Sequence, residues 1–243
     1  MERNPAAPSG CRTMFVFLDF VGTIAFPQPD VTAVYFETGL RFGSHLDRVE
    51  IGKRFRELYS LHFLEPRRSA PNGLKTDDGL ERGRWFDLVT SLFDDVADAT
   101  TLFQTLWDHF ALPTSWALYP DVGSALANLK RFGLRIGVAS NFDSRLLSIC
   151  RNKPELKPVE WVFLSSVIGW NKPSPRFFEA VAARVSAESH ELIMVGDHEV
   201  HDYQTPMSSG WTSFHLVREP GHLLASHQIA SLAELPNRIE RLR

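Results

Sequence analysis

Cysteine is almost absent from this 243-residue chain: only Cys11 and Cys150 are present. Two thiols make neither a disulfide framework nor a cysteine metal cluster, and they suit a reducing compartment. Long apolar runs are missing as well. No stretch of about 18 apolar residues occurs, so no membrane-spanning helix is expected. The segment Met1–Thr13 is polar, carries Pro5 and Pro8, and lacks the apolar centre of a secretion signal. A strong excess of one charge is also absent. The formal net charge of -3 at pH 7 gives no electrostatic case for nucleic acid or an anionic membrane as partner. No internal repeat or low-complexity tract stands out. What is present is ordinary globular composition, 44% hydrophobic and 23% charged, in a chain long enough to bury a large core. A cytoplasmic protein, monomeric or homodimeric, is expected, with residues 1–14 a flexible leader.

The patterning divides the rest. Phe15-Val16-Phe17-Leu18 is a continuous apolar run that ends in Asp19 and a Gly22-Thr23 turn. Such a run suits a strand buried on both faces of a parallel sheet. From about Asp30 to Trp116 strand-like runs disappear and helical spacing dominates. Phe55, Leu58, Tyr59 and Phe63 form one stripe; Trp85, Phe86, Leu88, Val89 and Leu92 form another. Leu102, Phe103, Leu106, Trp107 and Phe110 make a third, with Asp98 as a cap. Residues 28–117 are therefore read as an inserted all-helical cap of roughly four helices. Beyond it, apolar strands at 134–139, 161–164, 192–195 and 212–217 alternate with helical stripes. Ser174-Pro175 opens one of those helices. This alternation predicts an α/β fold with a Rossmann-like, doubly wound parallel sheet, built from residues 15–27 and 118–243.

Ligands of such sheets bind beyond the carboxyl ends of the strands. The predicted strand ends and the loops after them bring Asp19, Ser140 with Asn141, Lys172, and Asp197 with Asp202. One carboxylate after a strand is often only a turn residue; four polar groups on successive strand ends point to chemistry. They suit phosphoryl transfer. Asp19 can attack phosphorus as a carboxylate nucleophile. Asp197 and Asp202 can hold Mg²⁺, a hard cation that prefers oxygen. Ser140, the amides near Asn141, and Lys172 can neutralise phosphate oxygens.

The same residues, in the same order, resemble the four motifs of the haloacid dehalogenase superfamily. They are Asp19-Phe20-Val21-Gly22-Thr23; Ser140-Asn141; Lys172-Pro173 within Gly169–Arg176; and Gly196-Asp197-His198-Glu199-Val200-His201-Asp202. The stretch Ser140–Leu146 is most similar to the branch of haloacid dehalogenase-like hydrolase domain-containing protein 3. The resemblance implies a Rossmann-like core with a helical cap after the first motif. It also implies Mg²⁺ held by Asp19, the main-chain carbonyl of Val21, Asp197 and Asp202. Thr23, Ser140, Asn141 and Lys172 are then the phosphate-binding set, Asp19 and Lys172 are catalytic, and the partner is a small phosphorylated metabolite.

One position departs from the pattern. Phosphatases of the superfamily usually carry a second Asp two residues after the nucleophile, where this chain has Val21. That Asp protonates the leaving group, and losing a general acid–base group typically costs about 10²- to 10⁴-fold in rate. His198 is a candidate replacement shuttle; its bland alternative is a surface loop residue. Lys53, with Arg54 and Arg56 beside it, reads as a solvated helix face rather than a cap nucleophile. Arg41 reads the same way, and Trp85 and Trp107 as core aromatics. Asp202 is read equally as a metal or Lys172 partner and as a helix cap. Two alternatives stay open: a non-catalytic phosphate- or partner-binding member, favoured by Val21, and a 2-haloacid dehalogenase, disfavoured by Asp197.

Overall fold

The computed structural model of the chain describes residues 14–64, 73–219, 221–222 and 224–241. Met1–Thr13, assigned to the leader, lie outside the described residues. Met14 does not behave as leader: its carbonyl accepts from Arg135 N at 3.0 Å and its side chain packs on the core.

Among the described residues, six strands form a parallel sheet in the order β5-β4-β1-β6-β7-β8. They are β1 (Phe15–Leu18), β4 (Arg135–Ser140), β5 (Trp161–Leu164), β6 (Leu192–Gly196), β7 (Thr212–Leu216) and β8 (Gln228–Ile229). Side chains alternate along β1. Val16 and Leu18 enter one apolar cluster with Ile136, Val138, Ile193 and Val195; Phe15 and Phe17 enter another with Ala139, Leu192 and Met194. Each face of a strand contributes every second residue, so both faces are buried. That requires the unbroken apolar runs seen in the sequence. Helices cover the two faces, among them α5 (Val122–Arg131), α6 (Arg145–Arg151) and α8 (Pro175–Val185), making the α/β, doubly wound architecture. The short strand β8 goes beyond the expected last strand at 212–217. Two residues carry no period to read.

The strand order turns back at β1, which lies between β4 and β6. The carboxyl ends of β1 and β6 therefore flank the crevice where this architecture binds ligands. A two-stranded antiparallel ribbon, β2 (Ala25–Pro27) with β3 (Trp116–Leu118), carries the chain out of the core and back. Between them lie α1 (Val31–Arg41), α2 (Arg48–Tyr59), α3 (Asp78–Leu92) and α4 (Ala99–His109). Each opens with an aspartate whose carboxylate accepts the main-chain N–H three residues on: Asp30, Asp47, Asp77 and Asp98. Helix α2 continues into a wider turn at Ser60–Leu64. These helices bury their own apolar cluster, with Tyr35, Ile51, Leu88, Leu92, Phe93 and Leu102 at its centre. A further short helix, α7 (Ser165–Ile168), precedes the Lys172 loop.

The helical part is clasped to the core beside Lys172. Thr76 N donates to Gly169 O at 3.2 Å, and Asn171 N to Leu74 O at 2.8 Å. The Asp78 carboxylate accepts from both the amide and the hydroxyl of Ser144, one residue before α6. No described helix is long and apolar enough to cross a membrane.

Candidate active site

Strand β1 delivers Asp19. Its amide still pairs with Val195 O at 2.9 Å, so the strand's hydrogen bonding extends to the residue itself. The chain then turns sharply. Gly22 N donates to Ala25 O, and Gly22 has φ of 79°. A side chain there would be strained by that φ, and a Cβ would lie 2.2 Å from Asp197 Oδ2. The bare turn thus lets the motif-four carboxylate come against the motif-one loop. Thr23, fully buried, donates its hydroxyl to Asp197 Oδ1 at 3.2 Å.

Lys172 is the hub. It is buried, and its ammonium lies 3.0 Å from Asp19 Oδ1, 2.6 Å from Asp202 Oδ1 and 2.9 Å from Ala139 O. An ammonium has three donors, and three acceptors surround this one. Asn141 fixes the backbone beneath it: its Oδ1 accepts from Lys172 N at 2.7 Å and its Nδ2 donates to Lys172 O at 2.9 Å. Asp202 uses its other oxygen to accept from His198 N at 3.1 Å. Gly196 makes room for that carboxylate, since a Cβ there would sit 2.2 Å from Asp202 Oδ2.

Three carboxylates crowd together here, and two of them, Asp19 and Asp202, contact the one ammonium. Oxygens of Asp19, Asp197 and Asp202 lie within 4.8 Å of one another. Burial alone would lower the Lys172 pKa, but Asp19 and Asp202 outweigh it and raise it. Burial, reinforced by the Asp19 charge, raises the pKa of Asp202. Asp197 opens onto the cavity, yet the surrounding protein and the Asp19 carboxylate raise its pKa too. Like charges held this close resist joint ionisation. The cluster therefore has an excess of negative charge and a set of hard oxygen donors, and a divalent cation fits both.

Over the cluster lies a cavity of about 530 Å³, lined by Asp19, Val21, Ser140, Asn141, Lys172, Asp197 and His198 on the core side. Five of the polar residues named from strand ends thus meet there. Val21 presents an apolar side chain to it, 39% exposed. His198 caps its own turn, its Nδ1 accepting from the amides of Val200 and His201. That places the proton of the neutral ring on Nε2. Burial and the nearby Lys172 lower its pKa.

Some residues sit differently from expectation. Thr23 is not at the cavity surface; it holds Asp197 from behind. Both ends of the Asn141 amide are taken by the Lys172 backbone, so its side chain sets a loop. Of the two readings of Asp202, the structure shows the Lys172 partner, buried 2.6 Å from the ammonium, and not the helix cap. Trp85 and Trp107 are not only core aromatics, because both line the cavity with Tyr35, Phe55 and Tyr59. Arg145 and Glu81, also lining it, were passed over in the sequence. Arg145 stands four residues after Asn141, at a helix start, which was the available signal. Lys53 and Arg41 are exposed, as read, and neither lines the cavity. Arg54 instead ties the helical part together through Glu50, Asp94 and Leu92 O.

Comparison with known proteins agrees with this fold. The zebrafish (Danio rerio) haloacid dehalogenase-like hydrolase domain-containing protein 3 is 28% identical over 93% of this chain and 96% of its own length. The human protein of that name is 30% identical over 55% of each chain. The rhythmically expressed gene 2 protein of Drosophila melanogaster is 25% identical over 77% of this chain and 76% of its own. Among solved structures, L-2-haloacid dehalogenase from Xanthobacter autotrophicus shares the fold with a TM-score of 0.69, at 15% identity, over 96% of this chain and all of the other. A phosphatase of the superfamily from Thermococcus onnurineus matches with a TM-score of 0.63 at 22% identity, over 93% and 98% of the two chains. The family model for haloacid dehalogenase-like hydrolases matches residues 13–206, and the chain belongs to that family.

Proposed function

We propose that this hydrolase cleaves phosphate monoesters of a small metabolite, using Asp19 as nucleophile with Mg²⁺ bound beside it. The observation that carries the reading is the cluster itself: Asp19 and Asp197 open onto one cavity, with Lys172 locked 3.0 Å from Asp19. Asp19, Asp197 and the main-chain carbonyl of Val21 would hold the metal, with Asp202 behind them on Lys172. When bound, Mg²⁺ supplies the positive charge that lets an anionic phosphate approach a carboxylate.

The chain's own groups do the rest. An oxygen of Asp19 attacks phosphorus, the bond to the leaving oxygen breaks, and an aspartyl-phosphate forms. Lys172 holds Asp19 in position and acts on the phosphate as a fixed charge. Ser140 and the amides after it are the donors to the phosphate oxygens in this reading. Water then cleaves the aspartyl-phosphate and restores Asp19. No carboxylate stands at position 21, so the leaving oxygen departs without the usual acid. The same reading places the protein in the cytoplasm as a monomer or homodimer, without nucleic acid or membrane as partner.

The test is phosphate release from a panel of esters by the purified protein with Mg²⁺. Turnover abolished by Asp19→Asn and by removing Mg²⁺ supports the reading. Val21 favours a second one, a phosphate-binding protein without turnover; Mg²⁺ binding with no hydrolysis across the panel would establish it. Halide release from 2-haloacids without metal would point instead to dehalogenation.

A further inference from the structure

On its helical side the cavity is walled by aromatic rings, among them Tyr35, Phe55, Tyr59, Trp85, Trp107 and Phe110. Several pack against one another: Trp85 has its centroid 6.4 Å from Phe55 and 6.1 Å from Tyr59. Val21 carries the apolar surface down to Asp19. The charged groups on these walls are already matched. Asp143 receives Arg145 through both oxygens, at 2.8 and 2.7 Å, and the guanidinium lies 3.4 Å from the Trp107 ring centre. Glu81 accepts from Arg84 at 2.7 Å. A second charged group on a ligand would therefore meet no spare lysine or arginine among the described residues. Aromatic walls reward a flat apolar guest. About 530 Å³ falls within the roughly 300–1,000 Å³ that holds a drug-sized ligand.

The chemistry at Val21 makes the same demand independently. Without a carboxylic acid at position 21 the leaving oxygen departs carrying more negative charge. A phenol ionises near pH ~10, an aliphatic alcohol closer to water's ~15.7, so an aryl oxygen leaves far more readily. We propose that the cavity takes an uncharged aromatic group of more than one ring, and that this group is the leaving alcohol of the substrate. The substrate is thus an aryl phosphate monoester; this part rests on the phosphohydrolase reading above. In the step, the Asp19 oxygen–phosphorus bond forms as the phosphorus–aryl oxygen bond breaks. The aryl oxygen keeps the electron pair and is later protonated by water. A second water releases inorganic phosphate and restores the carboxylate.

Two measurements on the full chain test it. The first compares kcat/KM for 2-naphthyl phosphate, phenyl phosphate and glycerol 1-phosphate with Mg²⁺. The naphthyl ester should lead the phenyl ester by roughly tenfold or more, since the two alcohols ionise alike and differ in buried area. The glycerol ester should be the poorest. The second is calorimetric titration of 2-naphthol and phenol, which undergo no turnover. Naphthol should bind at least roughly tenfold tighter. That advantage should vanish in Trp85→Ala and in Val31→Trp, which fills the cavity wall instead of hollowing it. Equal turnover of the three esters, or a naphthol advantage that survives Val31→Trp, would overturn the proposal. Naphthol binding that the variants abolish, with no ester hydrolysed, would overturn the phosphohydrolase reading and leave the aromatic selectivity supported.

Discussion

Single residues set the reactivity of this site, and two glycines set its geometry. Val21 offers the simplest intervention: Val21→Asp places a carboxylate at the mouth of the cavity, beside Asp19. Turnover of an alkyl phosphate should then rise by about 10²- to 10⁴-fold, with a smaller gain for aryl esters, as steady-state kinetics would show. Gly196→Ala brings a methyl group against the Asp202 carboxylate, 2.2 Å away. Lys172 then loses its partner geometry, and both turnover and melting temperature should fall; unchanged values would mean that the loop yields without cost. At this scale the sequence was readable wherever a polar residue ended an apolar run, as for Asp19, Ser140 and Asp197. It was unreadable where the role depends on direction. Nothing in the string shows that Thr23 faces Asp197, that Asn141 holds a backbone, or which of its two readings, Lys172 partner or helix cap, Asp202 takes. Those assignments follow from how three separate loops fold over one another.

At the scale of elements, the clasp beside Lys172 joins the helical part to the sheet through few bonds. Asp78 caps nothing on its own helix; it accepts from Ser144 at the start of α6. Burial alone would raise the Asp78 pKa, but Ser144, with Ser166 and the Arg145 charge, outweighs it and lowers the pKa below the usual carboxylate value. Asp78→Ala should cost about 1–2 kcal/mol in urea unfolding and speed hydrogen exchange at the Ser144 amide. Exchange unchanged at that amide would mean the contact is not maintained in solution. The long elements were legible because burial on both sheet faces and one-sided burial of helices leave periodic marks. The ribbon β2–β3 left none. Three residues per strand, one of them Pro27, read as punctuation rather than as a strand. The strand β8 was missed for the same reason.

Across the whole molecule, the C-terminal segment is tied back to the motif-one turn by Arg218. Its guanidinium donates to Thr23 O at 2.8 Å and to both oxygens of Asp121, at 3.1 Å each. Asp121 also accepts from Ser231 Oγ and Leu232 N. Burial alone would raise the Asp121 pKa, but these donors outweigh it and hold it below 3.8. A lowered carboxylate contributes stability above its unfolded pKa and loses it as pH falls through the folded value. Asp121→Ala should therefore cost about 2 kcal/mol near neutrality. The gap from wild type should hold down to pH ~5 and close below pH ~3.8, as melting curves across pH would show. The α/β class was legible from alternation alone, because a parallel sheet needs a crossover between successive strands. How the aromatic stripes of the insert pack was not, since a ring facing a void and a ring facing another ring occupy the same helical positions. That ambiguity has a practical side. Trp85, Tyr59 and Phe55 are at once mortar and vessel: the rings that stabilise the helices also surround empty space. A guest that fills the hollow completes an unfinished core, and at a hundred times its dissociation constant adds about 2.7 kcal/mol to stability. Compounds that raise the melting point can thus identify the natural ligand before any reaction is known.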